Sequence, residues 1–197
     1  MPFKEDMEKK KIVVASGNLG KLREIKEIFS EFEITSYKQE GLDIEIEENG
    51  TTFYENALIK AKTVSEALGV PALADDSGLV VEALNGEPGI YSARYAGDGI
   101  DEHNNSLLLK NMQGKTNRNA KFVCCLVYYS PNGEIITATG ETHGKIMDKE
   151  QGENGFGYDP LFLSDDLGVS LGIAPAEEKN KISHRFRALQ QLREKIK

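Results

Sequence analysis

Two adjacent aspartates, Asp75 and Asp76, follow the apolar residues of "PALADDSG". Like charges side by side repel each other, so acids at the end of a buried strand need something that offsets this cost. Glu47 and Glu48 end the alternating segment "LDIEIEENG" in the same way. Mg²⁺ prefers one or two carboxylates together with water and the phosphate oxygens of a substrate. The pattern therefore favours a metal site at two strand ends over the simpler interpretation, an Asx turn at the aspartates.

A second candidate segment, "SGNLGK", lies between a predicted first strand and a predicted helix. A turn of this kind exposes backbone N–H groups at the positive end of a helix, which favours phosphate binding. Ser16 and Asn18 add side-chain donors, and Lys21 adds a positive charge. It is not a Walker A loop, which needs Gly in place of Ala15 and Ser or Thr in place of Leu22. Taken alone, a capped helix with a surface lysine explains it more simply.

Three further segments supply charge and aromatic rings. Lys60 of "ENALIKAK" could reach a phosphate from a helix, or could pair with Glu55. The glycine-rich "GFGYDP" carries Phe156 and Tyr158, and a ring on such a loop can stack on a base. The groups suited to the edge of a purine are Asp159, Lys179, His184 and Arg185. The alternative is that the rings are core residues and the charges a solvated helix start.

The elements that must position these residues can be predicted from the hydrophobic periodicity. "KIVVAS" and "LDIEIEENG" are typical of strands, and "NLGKLREIKEIFSEF" and "TTFYENALIKAKTVSEALG" of helices. "PALADDSG" and "LVVEAL" are predicted as two short strands separated at a glycine, followed by the loop "NGEPGIYSARYAGDG" and a helix in "DEHNNSLLLKNMQG". A hairpin turns at "PNG", and a last helix follows Ser183. This order predicts an α/β fold with a mixed sheet.

The composition limits the classes of partner. The chain has 197 residues, with 24 basic and 32 acidic side chains and a net charge of −8, so no general basic field holds it to nucleic acid. Its polar first ten residues lack a signal-peptide core, and no run reaches transmembrane length. Cys124 and Cys125 are adjacent in a predicted strand, point to opposite faces and suit a reducing compartment. We therefore expect one cytoplasmic domain over 1–197, with a polar extension at 1–10, that binds neither nucleic acid nor membranes.

Six motifs occur in order along the chain: "SGNLGK", "ENALIKAK", "ADDSGL", "PGIYSARYAG", "GFGYDPLF" and "SHRFRAL". Each is weak alone, but the series, from about Val13 to about Leu189, resembles the inosine triphosphatase family of nucleoside-triphosphate pyrophosphatases. The resemblance implies an elongated α/β fold of two lobes with the active site in the cleft between them, usually as a homodimer. It also implies Mg²⁺-dependent hydrolysis of the non-standard purine nucleotides ITP, dITP and XTP to the monophosphate and pyrophosphate.

The resemblance further implies roles for single residues. Asp76 is similar to the family's catalytic base and metal ligand. An acid at the end of "IEIEENG" is similar to its second metal ligand; we favour Glu47, and Glu48 stays open. The implied phosphate loop consists of Ser16, Gly17, Asn18, Leu19, Gly20 and Lys21. The implied substrate contacts are Ser77, Phe156, Gly157, Tyr158, Asp159, Lys179, His184 and Arg185.

The predicted mechanism is attack of water on the α-phosphorus, with pyrophosphate as the leaving group. Asp76, or Asp75 beside it, orients or deprotonates the water, and Lys21 and Lys60 stabilise the developing charge. If the strand stays extended, the two aspartates point to opposite faces. Asp75 then finds a backbone N–H, a basic side chain such as Lys60, or the attacking water.

Specificity is expected at the 6-keto group of hypoxanthine and xanthine. We expect Lys179 or Arg185 to donate to this oxygen and Phe156 to stack on the base, so that adenine leaves the donors unpaired. One alternative is a Maf-like pyrophosphatase acting on modified pyrimidine or other nucleotides. Others are a nucleotide-binding module without turnover and an α/β domain without a ligand. His103 and His143 have no predicted role.

Overall fold

The structure is a computed structural model that describes residues 8–196, in which strands and helices alternate before an antiparallel half follows. The strands are β1 Lys11–Val14, β2 Glu33–Ser36, β3 Ala72–Val81, β4 Asn119–Tyr129, β5 Ile135–Ile146 and β6 Phe162–Ser164. The helices are α1 Leu19–Ile28, α2 Phe53–Leu68, α3 Asp101–Asn111, α4 Ala176–Ile182 and α5 His184–Lys195. Short 3₁₀ segments cover Glu82–Leu84, Gly89–Arg94 and Asp159–Leu161.

The six strands form one mixed sheet in the order β2-β1-β3-β4-β5-β6. β1 pairs in parallel with β2 and β3, whereas β3 to β6 pair antiparallel. Parallel neighbours require crossover connections, which α1 and α2 provide. The predicted α/β class, with a mixed sheet flanked by helices, is confirmed. The division into two lobes stays a prediction, and most of the polar extension, residues 1–7, lies outside the described residues.

The side chains of β3 alternate between two apolar clusters, one on each face of the sheet. Leu73 packs with Ile25 of α1 and Leu189 of α5, and all three are fully buried. Ala74 packs on the other face with Ala57 of α2. A third cluster, at the C-terminal end of β3, includes Leu79, Leu108, Met112, Phe122 and Phe162. Neighbouring residues of β3 therefore meet different helices.

β3 is one unbroken strand, so the prediction of two short strands separated at Gly78 is wrong. β4 pairs with all of β3, and Asp75 and Asp76 lie within the strand rather than at its end. A Cβ atom on Gly78 would lie within 2.6 Å of the Ser92 Oγ and closer still to the Gly89 carbonyl oxygen. The glycine thus permits close packing of a 3₁₀ segment on β3 and does not interrupt the strand.

Three other segments differ from the sequence-based expectation. "LDIEIEENG" forms no strand, although Leu42, Ile44 and Ile46 do pack, half-buried, against the α2 cluster. The alternation therefore reflects packing on a helix rather than pairing in a sheet. The predicted loop after β3 contains the 3₁₀ segment Gly89–Arg94, and α4 was not predicted.

Other elements match their predictions. α2 ends at Gly69, whose φ of 68° is the left-handed conformation expected of a glycine cap. α5 begins after Ser183, whose side chain accepts a hydrogen bond from the Phe186 N–H. β4 and β5 form the predicted hairpin, and Cys124 and Cys125 are free and buried. Within residues 8–196, no helix is both long and apolar enough to span a bilayer.

Candidate active site

A cavity of about 680 Å³ collects most of the predicted site residues. Its walls come from the β1–α1 turn, the segment before α2, the middle of β3, the loop before β6, and the helices α4 and α5. The predicted residues that line it are Ser16, Gly17, Asn18, Lys21, Lys60, Asp76, Ser77, Phe156, Gly157, Tyr158, Asp159, Lys179, His184 and Arg185. Leu19, Gly20, Glu47 and Asp75 are not among the lining residues.

Asp76 faces the cavity from the α2 side of the sheet. It is only 5% exposed, its Oδ1 lies 3.7 Å from the Lys60 Nζ, and its Oδ2 has no hydrogen-bond partner among residues 8–196. Burial raises the pKa of Asp76 to about 6, against the lowering effect of Lys60 and Lys21, and Glu48 raises it further. A buried carboxylate with an unpaired oxygen and a pKa near neutrality suits a general base or a cation ligand.

Asp75 points to the opposite face, as strand geometry predicts. Its Oδ2 accepts from the Arg185 Nε at 2.6 Å and from the Cys124 Sγ at 3.1 Å, and its Oδ1 lies 2.9 Å from the Lys21 Nζ. Burial raises the pKa of Asp75, but Arg185 and Lys21 outweigh it and hold the pKa well below its ordinary value.

The contacts of Asp75 agree with a basic partner, one of its predicted roles, but give no support to a catalytic role. A fully buried carboxylate that already binds two cations is not available to orient water, so the geometry gives Asp75 no place as a catalytic group. The expected partner Lys60 bonds instead to the Asp75 backbone carbonyl, at 2.8 Å. Lys60 itself does lie at the cavity, beside Asp76.

Of the two glutamates that end this segment, Glu48 lies at the cavity and the favoured Glu47 does not. The Glu48 Oε1 lies 2.7 Å from the Lys60 Nζ, whereas Glu47 is exposed. Asp43 and Glu45 of the same segment also line the cavity, so strict alternation does not account for the difference. The Gly50 N–H donates to the buried Asn56 Oδ1 and so fixes this segment at the start of α2.

The β1–α1 turn has the geometry expected of an anion site. Asn18 caps α1, its Oδ1 accepting from the Lys21 N–H at 3.1 Å, and the Ser16 Oγ accepts from the Asn18 N–H. Lys21 reaches across to Asp75, which fixes its charge beneath the turn. The turn therefore presents a helix N-terminus and a held cation to the cavity. Leu19 belongs to the turn but is 80% exposed and points away from the cavity.

The opposite end of the cavity is aromatic and cationic. The Lys179 Nζ lies 4.7 Å from the centre of the Phe156 ring and 2.7 Å from the Asp159 Oδ2, which also accepts from the Phe156 N–H. His184 stacks on Phe122 at 5.1 Å between ring centroids. Its Nδ1 is buried without a partner among the described residues. Burial lowers the pKa of His184 well below its ordinary value, so the ring is neutral.

Arg185 is the centre of a buried ion network. It is 1% exposed and donates to Asp75, to the Glu24 Oε2 at 2.6 Å and to the Ser77 Oγ at 3.0 Å. Lys179 lies 3.9 Å from the same Glu24 oxygen. The network joins α1, β3, α4 and α5, which come from distant parts of the chain. The predicted O6 donors, Lys179 and Arg185, thus already hold carboxylate partners in this structure.

Sequence reasoning missed three residues of the site. Glu24 lies among the apolar residues of α1, Phe122 is one of many apolar residues in β4, and Lys38 follows β2 in a polar turn. Nothing in the local sequence distinguishes Glu24 or Phe122 from a helix charge or a core ring. Lys38 had one available signal, its place directly after a strand parallel to β1.

The carboxylates can be tested for their fit to a metal. Within residues 8–196, no group of three or more His, Cys, Asp or Glu side chains is arranged to hold an ion. Asp76 and Glu48 flank Lys60, and the unpaired Asp76 oxygen faces the cavity. Two carboxylates suit Mg²⁺, which keeps several waters and uses substrate phosphates as ligands.

Comparisons with known proteins agree with this geometry. The chain matches the Ham1 family over residues 12–195. It is 49% identical over 194 residues to a dITP/XTP pyrophosphatase of Haemophilus influenzae, covering 95% of this chain and 100% of that one. It is 47% identical over 190 residues to a dITP/XTP pyrophosphatase of Listeria innocua, covering 92% of each.

Solved structures give the same result. The Ham1 protein of Staphylococcus aureus superposes with a TM-score of 0.86 at 43% identity, covering 95% of this chain and 98% of that one. A HAM1 protein of Coxiella burnetii superposes with a TM-score of 0.84 at 38% identity, covering 93% and 96%. The motif-based resemblance to nucleoside-triphosphate pyrophosphatases is therefore confirmed, and the chain belongs to the Ham1 family.

Proposed function

We propose that this protein hydrolyses dITP, ITP and XTP to the monophosphate and pyrophosphate and so removes non-standard purines from the nucleotide pool. The observation that carries the proposal is the arrangement of Asp76, a buried acid with an unpaired oxygen, between a helix N-terminus suited to phosphates and a cationic aromatic pocket suited to a base. Relatives named dITP/XTP pyrophosphatase, about half identical over nearly the whole chain, support the same substrate class.

We further propose Mg²⁺ as the cofactor, held by Asp76 and Glu48 together with the substrate phosphates. When bound, the ion supplies charge neutralisation at the phosphates and polarises their oxygens. The raised pKa of Asp76 and its unpaired Oδ2 support this site, because an adjacent cation favours the ionised carboxylate. Glu48 replaces Glu47 in the proposal because only Glu48 faces the cavity.

Side chains of the protein supply the general base, the positive charges and the groups that orient the phosphates. Asp76, whose Oδ2 has no hydrogen-bond partner among residues 8–196, orients the attacking water and accepts its proton. Lys60 lies beside Asp76 and Glu48, and Lys21 lies under the phosphate turn. Both lysines stabilise charge that builds up on the phosphates as the bond to pyrophosphate breaks. Ser16 and Asn18 orient the phosphate chain through the turn that they cap.

The base is held at the other end of the cavity. Phe156 stacks on the purine, with Lys179 close to the ring to supply a hydrogen bond to a 6-keto oxygen. Adenine carries an amine at that position and leaves the donor unpaired, which discriminates strongly between bases. His184 is neutral and its unpaired Nδ1 adds one further polar group for the base edge. Arg185 supports this end from beneath, since its donors bind Asp75, Glu24 and Ser77.

The test is a steady-state assay of the purified protein with ITP, dITP, XTP, GTP, ATP, UTP and dTTP, each with Mg²⁺ and with a chelator. We expect pyrophosphate and monophosphate from ITP, dITP and XTP, and little from the others. Orthophosphate with diphosphate, or equal rates on ITP and ATP, would refute the proposal. Preference for UTP or dTTP would favour a Maf-like activity. Tight nucleotide binding without product would favour a binding module.

Two expectations about the protein in the cell stay proposals. A homodimer is expected from the family resemblance, and sedimentation of the purified protein tests it. A cytoplasmic location is supported by the free, buried thiols of Cys124 and Cys125, which suit a reducing compartment. Fractionation of cells tests the location.

A further inference from the structure

Lys38 is a cation at the phosphate end of the cavity that the mechanism above does not use. It lines the same cavity as Ser16, Gly17 and Asn18. Its position follows from sheet topology, because β1 and β2 run parallel with Val14 opposite Ser36. The residues that leave the two strands therefore emerge side by side at one edge of the sheet, where ligands bind in α/β folds.

The side chain of Lys38 lies directly over the phosphate turn. A Cβ atom built on Gly17 would lie 3.2 Å from the Lys38 Nζ and 3.4 Å from its Cε, so the end of the lysine side chain approaches the backbone of the turn closely. The Nζ also lies 5.9 Å from the centre of the Tyr37 ring, and Tyr37 is buried. The ammonium group of this exposed side chain thus lies beside the backbone of the turn.

Charge pairing separates Lys38 from the other cations of the cavity. The other five lysine and arginine side chains that line it each have a carboxylate within 4.0 Å: Lys21, Lys60, Arg94, Lys179 and Arg185. Among residues 8–196, Lys38 has no such carboxylate and no side-chain hydrogen bond. An uncompensated cation beside a helix N-terminus favours an anionic ligand rather than an internal partner.

We propose that Lys38 binds the terminal phosphates of the substrate and the pyrophosphate product, as a further substrate-binding residue. The inference rests on the proposed nucleotide substrate and names the part of it that Lys38 recognises. Lys21 and Lys60 are paired with Asp75, Glu48 and Asp76, so the protein already neutralises part of the charge that they offer to the phosphates. Lys38 brings a charge that only the ligand neutralises, and the monophosphate product does not reach it.

The experiment compares Lys38→Gln with Lys62→Gln, which changes an exposed lysine of α2 that pairs with Glu66 away from the cavity. We expect Lys38→Gln to raise the KM for dITP and the Kd for inorganic pyrophosphate about tenfold each, the worth of one charge-assisted hydrogen bond. The Kd for dIMP, measured by calorimetry, should stay unchanged. Lys38→Arg should restore most of the pyrophosphate affinity, and Lys62→Gln should resemble the wild type.

The outcomes separate this inference from the proposed function. A wild type that turns over dITP, with pyrophosphate affinity reduced less than about threefold in Lys38→Gln, overturns the role of Lys38 alone. Equal weakening of dIMP and pyrophosphate also overturns it, because the lysine then acts on a phosphate that both share. A wild type that releases no pyrophosphate from dITP refutes the proposed function, while pyrophosphate binding still tests Lys38.

Discussion

The pKa values of the two aspartates of β3 shift in opposite directions, because burial raises both and only Asp75 has cationic partners that outweigh burial. Asp75 meets Arg185 and Lys21 within 2.9 Å, and its pKa falls well below the ordinary value. Asp76 has Lys60 at 3.7 Å and an unpaired oxygen, and its pKa rises to about 6. One side chain is thereby fixed as an anion for structure, and the other is held ready for proton transfer.

The first prediction concerns Asp76→Asn, which should separate activity from stability. With Mg²⁺ present, kcat for dITP should fall at least roughly 100-fold, the low end of a general-base contribution. In metal-free protein at pH 7.5, the free energy of unfolding should rise by about 1–3 kcal/mol, because the ionised Asp76 is costly to bury. Urea unfolding in chelator measures the second effect.

The sign of the pH dependence of stability follows from the direction of the pKa shift of Asp76. A folded pKa of about 6 lies above the ordinary 3.8, so the ionised group costs stability above pH 6 and the cost vanishes towards pH 4. The gain from Asp76→Asn should therefore disappear at pH 4. Asp165→Asn, which alters an exposed pair with Lys145, serves as the control. Turnover near that of the wild type would contradict the assignment of Asp76.

For single residues, the sequence predicts the orientation of a side chain well only where the repeat of a strand or helix determines it. The opposite orientations of Asp75 and Asp76 follow from the two-residue repeat of a strand. The partner of Asp75 could not be predicted, because Arg185 is 110 residues away and only the fold brings the two together. The resemblance gave the segment that holds Glu47 and Glu48 but not which of the two lines the cavity, and only Glu48 does.

Among the elements, the first turn of α1 contacts the loop that carries Phe156. A Cβ atom on Gly20 would lie 2.9 Å from the Phe156 Cδ1, so the glycine lets the ring lie close against the helix. On its other side the ring meets Lys179 and Arg185. Gly20 does not line the cavity, so we expect it to affect the proposed base site only through the position of this ring.

The second prediction is that Gly20→Ala weakens substrate binding without weakening the fold. Alanine favours a helix by up to about 1 kcal/mol over glycine, so the melting temperature should hold or rise. The displaced Phe156 ring should raise the KM for dITP by about three- to tenfold, a loss of the size of one aromatic contact. A raised KM with little change in kcat would distinguish this effect from general damage to the active site. Leu19→Ala, in the same turn but exposed, is the control; an unchanged KM in Gly20→Ala would contradict the role of the ring position.

Elements were predictable where their apolar pattern was long. α2, α5 and the β4–β5 hairpin have clear caps or turns and appear as expected. The prediction divided β3 at Gly78 because glycine often marks a break in a strand. In the structure, Gly78 instead allows the 3₁₀ segment Gly89–Arg94 to pack closely on the strand. α4 has only seven residues, too few for a periodic signal.

For the whole molecule, the buried ion network ties four elements together. Arg185 joins β3 and α1 to α5, and Lys179 adds α4 and the loop before β6 through Glu24 and Asp159. Buried charges are costly to remove from water and are tolerated only when paired. Loss of one partner therefore affects the entire assembly rather than one contact.

The third prediction is that Asp75→Asn destabilises the whole fold by about 3–5 kcal/mol, because it leaves the Arg185 charge buried without its main partner. The lowered pKa of Asp75 means that this contribution is present above the ordinary pKa of 3.8 and is lost as the pH falls through the folded value. The deficit should therefore be equal at pH 8 and pH 5 in urea unfolding. Asp165→Asn should cost less than about 1 kcal/mol. A deficit of that same small size in Asp75→Asn would contradict the structural role of the network.

The alternation of β3 has a consequence for folding fidelity. If β3 paired with β4 one residue out of register, every side chain of the strand would change faces. In one direction Asp76 would meet Arg185 and Ser77 would occupy the position beside Lys60, so the buried arginine would stay neutralised while the acid at the cavity was lost. Because Asp75 and Asp76 are the same residue type, their own contacts do not distinguish the correct register from the shifted one. That discrimination falls to the apolar residues of β3, such as Leu73 and Leu79, which would be forced out of their clusters. A change at either leucine therefore weakens the discrimination between the two registers, and activity per folded molecule measures the loss.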